Sequence, residues 1–293
     1  MQTAFLRAYL LTVDTGSMAE AARRLHLTPA AVAVAQQIRS LEQEIGVALV
    51  RRAGRSVRPT EAGYRILEKA RRLLRDAGEL ASLAGQDELC AELRLGSIYT
   101  ALDALVPEAI ERLAAAQPRL RFHIRSAVSS ELFDAVQRGE LDAAVCLHPQ
   151  FALPKTIAWQ LLREERLVAL VPRALAGGEA HALLAREPFI RYDRKEWGGQ
   201  QVERYLRAAG IVPHERMELG HLSAIANMVG RGLGVALVPD TVLPDEARLA
   251  RLPLPKTTPP RRLGLLWPQP SPHEGAIRLL ATQLHAVAAA RPA

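Results

Sequence analysis

The sequence predicts a small all-α domain at the N-terminus, one long helix after it, and an α/β region in the rest of the chain. Three observations lead to this fold class. The first 45 residues repeat apolar side chains at the spacing of short helices, residues 60–85 carry one continuous apolar stripe, and strands alternate with helices from residue 92 onward. A chain of 293 residues also exceeds the roughly 100–200 residues of one ordinary domain.

The composition is that of a folded protein with an excess of arginine. Apolar residues make up 49% and charged residues 24%, so an intrinsically disordered chain is excluded. The net charge is +7, and lysine accounts for only four of the 38 basic residues. The guanidinium group of arginine pairs well with phosphates and base edges, which makes a nucleic acid a candidate partner.

The first helix is predicted from one apolar face. Phe5, Leu6, Tyr9, Leu10 and Val13 follow the i, i+3/i+4 spacing of a helix that packs against a core. The run Thr15-Gly16-Ser17 interrupts this pattern, so the helix ends there.

Two further helices are predicted from their capping residues. Ser17 and Glu20 have the spacing of a capping box, which begins a second helix. Thr28-Pro29 offers an N-cap and a first-turn proline for a third helix, which ends near Gly46.

Positive charge is concentrated in this N-terminal part. Residues 1–60 hold eight arginines against four acidic residues, and half of these arginines lie in a predicted hairpin over 50–59. They are Arg51, Arg52, Arg55 and Arg58. This arrangement suits a third helix in the major groove of DNA, with the arginines against phosphates or in a minor groove. The alternative is a three-helix core with a solvated arginine loop.

Residues 60–85 predict a single long helix. Its apolar residues step by four and three, as in a coiled coil: Ile66, Ala70, Leu73, Ala77, Leu80 and Ala84. A helix with one apolar stripe has no core of its own, so we expect it to pair with a second copy of the chain.

From residue 92 the pattern predicts parallel α/β sheets in two small lobes. The predicted strands are Leu93–Ser97, Leu120–Arg125, Asp142–Leu147, Leu167–Val171, Phe189–Tyr192, Gly234–Val238 and Arg262–Trp267. The predicted helices are 101–116, 130–138, 200–209, 222–231 and 274–290. The chain is expected to cross between the lobes near 161–164 and 266–269.

Polar residues at helix starts are the candidate ligand contacts of this region. Ser97, Tyr99 and Thr100 lie where a strand ends and a helix begins, and Ser129-Ser130 begins the next helix. The free N–H groups of a helix start favour an anion. Ordinary helix caps are the alternative.

Three more positions are candidates for a ligand pocket. Trp197 could form one wall of the pocket, and Gly198 beside it would let the backbone approach a ligand closely. Alternatively, this loop simply covers the edge of a sheet. His221 begins a helix, and His148 follows Cys146 at a strand end.

Catalytic and metal chemistry have no candidate motif. The sequence lacks a Gly-x-Ser-x-Gly elbow, a phosphate-binding Gly-Lys-Ser/Thr motif and metal-ligand spacing among its histidines. Cys146 is expected to be a small buried residue, and two cysteines make no disulfide framework. We therefore expect no cofactor, no metal and no enzymatic activity. No apolar run approaches the ~18 residues of a membrane helix, so we expect a cytoplasmic protein without a membrane partner.

About the first 65 residues resemble the LysR-type transcriptional regulators. The matching positions are Phe5-Leu6, Val13, Gly16-Ser17, Ala21-Ala22, Leu25, Gln37-Ile38-Arg39, Leu41-Glu42, Gly46, Leu49, Arg52 and Pro59-Thr60-Glu61-Ala62-Gly63. The resemblance implies a winged helix-turn-helix domain over 1–59 and a long linker and dimerisation helix over 60–88. It also implies a two-lobed effector region over 89–293, similar to type 2 periplasmic binding proteins. Its first lobe is expected at about 89–161 and 267–293, and its second at about 162–266.

The resemblance also implies DNA-binding residues. They are Ser17, Thr28, Pro29, Ala33, Val34, Gln36, Gln37, Arg39, Arg51, Arg52, Arg55 and Arg58. The run before the Gln-Ile pair is two residues longer than is usual in the family. Either the turn is longer by these two residues, or the face of the third helix that contacts DNA bases is rotated by about 200°.

The expected partners follow from this resemblance. They are double-stranded promoter DNA, further copies of the chain in a dimer of dimers, an anionic small-molecule effector between the lobes and, as a further candidate, RNA polymerase. The expected effector contacts are Ser97, Tyr99, Thr100, Ser129, Ser130, His148, Trp197, Gly198 and His221. The alternatives are a solute-binding protein and an enzyme on a two-lobed α/β scaffold.

Overall fold

The computed structural model describes residues 2–25, 27, 30–54, 56–84, 92–241, 246–255 and 259–290. The chain forms two compact units, Met1–Glu88 and Leu89–Ala293. In the described part of the chain, no helix is both long and apolar enough to cross a membrane.

The first unit contains four helices and a hairpin among its described residues. They are α1 (Thr3–Thr15), α2 (Met18–Arg24), α3 (Ala30–Ile45), β1 (Val50–Ala53), β2 (Ser56–Pro59) and α4 (Glu61–Ala84). The Ser17 cap is confirmed, because its hydroxyl accepts the N–H of Glu20 at 3.3 Å and begins α2. The reciprocal half of the capping box is not formed, because the Glu20 carboxylate pairs with Arg23 and Arg24. Gly16 ends α1 with a φ of 67°, a left-handed conformation that glycine adopts without a steric penalty.

The second unit continues with ten strands and seven helices among its described residues. The strands are β3 (Glu92–Ser97), β4 (Arg121–Ser126), β5 (Ala143–Leu147), β6 (Ile157–Glu165), β7 (Leu167–Pro172), β8 (Pro188–Tyr192), β9 (His214–Leu219), β10 (Ala236–Pro239), β11 (Leu249–Leu252) and β12 (Arg261–Pro268). The helices are α5 (Tyr99–Ala104), α6 (Val106–Ala116), α7 (Ser129–Gln137), α8 (Ala180–Arg186), α9 (Trp197–Ala209), α10 (Leu222–Gly230) and α11 (Glu274–Ala290).

Two hydrophobic cores divide the second unit into lobes. The first lobe, residues 92–165 and 261–290, has a five-stranded sheet in the order β4-β3-β5-β12-β6. The second lobe, residues 167–255, has a three-stranded sheet in the order β10-β7-β11 and a two-stranded sheet of β8 and β9. Strands β3, β4 and β5 are parallel, as are β8 and β9.

The expectation of wholly parallel sheets is wrong. Strand β12 runs antiparallel to both β5 and β6, and the β10-β7-β11 sheet is antiparallel throughout. The chain leaves the first lobe after β6 and returns to it as β12, which pairs antiparallel between β5 and β6. The expected helix over 101–116 is also divided in two at Leu105, after which a new helix begins at Val106 with Pro107 in its first turn.

The crossings between the lobes differ from the expected positions. Residues 162–165 and 261–266 were assigned to the second lobe, but they lie in β6 and β12 of the first-lobe sheet. Hydrogen bonding between these two strands keeps both in that sheet. The chain therefore crosses at 165–167 and again between Leu252 and Arg261.

Candidate nucleic-acid interface and ligand cleft

Helix α3 has a buried face and an exposed face. Val34 and Ile38 are at most 1% exposed and pack in the core of the first unit. Val32, Gln36 and Arg39 are exposed on the opposite side, and Val32 is 61% exposed. The expectation that Val34 contacts DNA is wrong, because its side chain fills the core. Val32 was not predicted, although its spacing to Gln36 places both on one face.

The other predicted DNA contacts near α2 and α3 differ in accessibility. Ala33 and Gln37 are half-buried at the edges of the exposed face. Ser17 caps α2 through its hydroxyl. Thr28, Pro29 and Arg55 lie outside the described residues.

The hairpin presents arginines to solvent. Arg51 and Arg58 are opposite each other on β1 and β2, and both are exposed, as is Arg52. The Glu42 carboxylate on α3 accepts the N–H groups of Leu49 at 2.7 Å and of Val50 at 3.1 Å. This contact fixes the start of the hairpin relative to α3.

The predicted hydroxyl groups of the cleft already have partners within the protein. Ser97 is fully buried, and its hydroxyl donates to the carbonyl of Ile98 at 3.0 Å. The Ser129 hydroxyl accepts the N–H of Leu147 at 3.2 Å, and the Thr100 hydroxyl accepts from Arg261 at 3.3 Å. Ser97 is therefore not a ligand contact in this arrangement of the lobes, which corrects the expectation.

A narrow cavity of about 30 Å³ lies between the lobes beside these groups. Tyr99, Thr100 and Ser129 line it from the first lobe, and Trp197 and Gly198 line it from the second. These five predicted residues thus come together, but the space holds no more than water. Ser130 lines neither this cavity nor the larger one described below.

One edge of the cleft is closed by a pair of rings. The centroids of Tyr99 and His221 lie 4.7 Å apart across the two lobes. Close by, the Ser223 hydroxyl contacts the carboxylate of Asp103 at 3.3 Å. These contacts hold the lobes together on this side.

Glu196 is a cleft residue that sequence reasoning missed. Its carboxylate accepts the Tyr192 hydroxyl at 3.1 Å. A Cβ on Gly220 would meet the same carboxylate at 1.9 Å, so only glycine allows it to lie there. Burial, together with the nearby charges of Asp193 and Glu131, raises the pKa of Glu196 to about 7.

A buried ion cluster lies where the chain crosses between the lobes. The Glu165 carboxylate pairs with Arg163 on one oxygen and with Arg261 on the other. Arg163 also donates to the Thr241 hydroxyl at 3.1 Å. Burial by itself would raise the pKa of Glu165, but Arg261 and Arg163 together hold it below its ordinary value.

The larger cavity between the lobes measures about 450 Å³, and we call it the hinge chamber. Two predicted residues, His148 and Trp197, line it. Arg204, Tyr205 and Arg262 line it as well and were not predicted. Arg204 and Tyr205 lie on α9, whereas Arg262 lies on β12 of the first lobe. The chamber therefore has walls from both lobes.

The described residues offer no site for a metal or a reactive thiol. No group of three or more His, Cys, Asp or Glu side chains in the described ranges could hold a metal ion. Cys146 is fully buried on β5, and burial raises the pKa of its thiol to about 12. Such a thiol carries almost no thiolate, which is the reactive form.

Comparisons with known protein families match both units. The family model of the LysR substrate-binding domain matches residues 86–289. The model of the bacterial regulatory helix-turn-helix protein of the LysR family matches residues 4–64.

Individual relatives are similar over most of their length. A hydrogen peroxide-inducible genes activator from Dickeya chrysanthemi is 29% identical over 257 residues, which cover 84% of this chain and 83% of the relative. A full-length OxyR variant from Pseudomonas aeruginosa is similar in structure, with a TM-score of 0.71, 25% identity and coverage of 97% of this chain and 94% of its own. The LysR-family regulator CbnR in complex with its target DNA has a TM-score of 0.69 at 20% identity, with coverage of 97% and 100%.

Proposed function

The chain belongs to the LysR family of bacterial transcriptional regulators, and from this we propose that α3 reads a promoter site through Val32, Gln36 and Arg39. The observation that carries the proposal is the exposed face of α3, which these three side chains form opposite the buried face. Glutamine can pair with adenine through two hydrogen bonds, and an apolar side chain can contact the methyl group of thymine.

The hairpin supplies the part of the affinity that does not depend on sequence. Arg51, Arg52 and Arg58 are exposed beside α3 on a hairpin that Glu42 holds in place. Arginines in this position neutralise phosphates and release counterions, so DNA affinity falls as salt increases.

We further propose that the functional unit is a dimer of dimers that pairs through α4. On this helix Ile66 and Ala70 of the predicted stripe pack in the core of the first unit, whereas Leu73 of the same stripe is 44% exposed. A second copy of α4 across a two-fold axis would cover Leu73. A two-fold protein then matches a partly palindromic promoter site. In this proposal residues 1–59 bind DNA, 60–88 join the copies and 89–293 receive a ligand.

The ligand site in this proposal is the cleft between the two lobes. The narrow cavity and the hinge chamber share Leu147, Trp197 and Arg261, so they are adjoining parts of one cleft. A molecule bound there with different affinities for two arrangements of the lobes would shift the population between them. The proposed role is regulatory rather than catalytic, and a regulator of bacterial promoters works in the cytoplasm.

We also propose that Cys146 does not sense peroxide. The Dickeya chrysanthemi relative is named for induction by hydrogen peroxide. In this chain the Cys146 thiol is fully buried and its pKa is raised, so it is protected from oxidants in the folded state.

The test is a DNase footprint with an anisotropy titration on the DNA upstream of the chain's own coding region, at low and high salt. We expect a saturable site of at least two helical turns that weakens as salt increases. Gln36→Ala should reduce affinity by about 1–3 kcal/mol, the usual value for one bidentate base contact. Gln43→Ala is the matched control, because Gln43 is also exposed on α3 but lies about two turns further on. Equal losses of DNA affinity in the two variants, or binding that does not depend on the DNA sequence, would contradict the proposal.

A further inference from the structure

Of the two cavities that the described residues form between the lobes, the hinge chamber is much larger than the one beside the predicted helix starts. The chamber measures about 450 Å³, against about 30 Å³ for the narrow cavity at Thr100 and Ser129. Sites for small molecules commonly measure roughly 300–1,000 Å³. Of these two cavities between the lobes, the hinge chamber is the one that is large enough for a ligand.

The walls of the chamber are mainly apolar. Trp197 contributes an aromatic side chain from α9, and Pro259, Pro260 and Leu147 contribute aliphatic surface, whereas Tyr205 lines the chamber but is only 1% exposed. The Gln201 side chain donates to the carbonyl of Pro259, which ties the proline pair to α9. Such walls favour a flat ligand with a mainly apolar body.

The charge of the chamber is positive. Its lining includes Arg204 and Arg262 but no aspartate or glutamate. The third lining arginine, Arg261, is paired with the buried carboxylate of Glu165.

Arg204 and Arg262 have no carboxylate partner within the described ranges of the chain. The Arg204 guanidinium donates to the side-chain oxygen of Gln150. The Arg262 guanidinium lies over the ring of Trp159, 4.8 Å from its centroid. Stacking on a ring orients a guanidinium and leaves its N–H groups available to an anion.

We propose that the hinge chamber binds a flat, mainly apolar monoanion, with its body against Trp197 and the Pro259-Pro260 pair and its carboxylate paired with Arg204 and Arg262. This ligand class rests on the proposed function, in which the cleft is the ligand site of a regulator. Arginine is suited to the role because its planar fork matches a carboxylate and keeps its charge at all physiological pH values.

The two arginines come from different lobes, which gives the ligand a means of regulation. Arg204 lies on α9 of the second lobe and Arg262 lies on β12 of the first. A carboxylate held by both favours the arrangement that brings them together, whereas an uncharged molecule of the same shape lacks this preference.

The test uses two pairs of probes that differ in charge and not in shape. Benzoate and benzamide form one pair, and 2-naphthoate and 2-naphthamide form the other. Each is titrated into the full-length chain without DNA, by calorimetry and by tryptophan fluorescence. We expect each carboxylate to bind at least tenfold more tightly than its amide.

Variants then assign the charge preference to residues. Arg204→Gln and Arg262→Gln should each remove most of the preference for the carboxylate while leaving amide binding unchanged. Arg207→Gln is the matched control, because Arg207 is also on α9 but is 80% exposed and paired with Glu203. Thermal melts of all three variants check that the fold is kept.

Three results would overturn the ligand class: neither carboxylate binds saturably, each amide binds as tightly as its acid, or Arg207→Gln is as damaging as Arg204→Gln. Failure of the proposed function gives a different result. In that case the promoter footprint is absent while the carboxylate preference remains, because the titration contains no DNA.

Discussion

Replacing Glu165 with glutamine leaves two buried arginines without the carboxylate that they share. The side chains of Arg163 and Arg261 are 7% and 3% exposed, and that of Glu165 is 0% exposed. In the variant, two positive charges remain in the interior where the chain crosses between the lobes. Glutamine has nearly the same shape, so packing is preserved while the charge is lost.

The expected cost follows from this burial. Removing one partner of a buried ion pair typically costs about 3–5 kcal/mol, because the remaining charge stays desolvated. For a unit of this size, 1 kcal/mol corresponds to about 2–4 °C in melting temperature. We therefore expect Glu165→Gln to melt roughly 6–20 °C below the wild type.

Thermal unfolding followed by circular dichroism measures this loss, with Glu164→Gln as the control. Glu164 is the preceding residue of the same strand but is exposed, so its replacement should change stability by no more than about 0.5 kcal/mol. If both variants melt at the same temperature, the buried cluster does not stabilise the fold and the reasoning fails.

The pH dependence gives a second check of the same reasoning. The pKa of Glu165 is lowered in the folded state. Its contribution to the free energy of unfolding is therefore fully present above the pKa of the unfolded state, and it is lost as the pH falls through the pKa of the folded state. Because the ordinary pKa of glutamate is 4.5, the difference in melting temperature between wild type and variant should become smaller only below that pH. A melting-temperature difference that stays constant from about pH 7 to about pH 3 would contradict the assigned charge of Glu165.

Three further predictions concern other parts of the molecule. The pKa of Glu196 is raised to about 7 in the folded state. Its ionisation therefore destabilises the fold as the pH rises from 4.5, the ordinary pKa, to about 7. Glu196→Gln should therefore raise the melting temperature more at about pH 8 than at about pH 5, and an equal gain at both would refute this. A Cβ at Gly63 would lie 2.2 Å from the carbonyl oxygen of Leu49, so Gly63→Ala should destabilise the first unit by about 1–3 kcal/mol in denaturant titrations. In a Cys90→Ser background, Cys146 should react with Ellman's reagent only as fast as the protein unfolds, and rapid reaction of the folded protein would refute its protection.

The sequence determined those features that depend on neighbouring residues. The cap at Ser17, the turn at Gly16 and the start of α11 at Glu274 each follow from a short local pattern. The strands inside the sheets, such as β5 and β7, were predicted because a strand buried on both faces is an apolar run.

The strands that were missed lie at the edges of their sheets or in the smallest sheet. Strands β6 and β11 are edge strands, and β9 pairs only with β8. Their sequences mix charged and apolar residues because one side of each strand is exposed to solvent. The sequence of β9 is therefore too polar to predict a strand. Hydrogen bonds to a distant partner make these residues strands, and no local pattern encodes that partner.

The tertiary structure alone decided the composition of the cleft. Glu165 and Arg261 are 96 residues apart in sequence, and Arg204 and Arg262 come from different lobes. Their charges act together only because the chain crosses twice between two sheets and brings these segments side by side. Burial also decided which of the predicted contact residues are available: Ser97 and Val34 were expected to contact a ligand and DNA, but both are buried inside the protein. A sequence specifies which side chains a protein has, whereas the fold specifies which of them are desolvated, paired or open to a ligand.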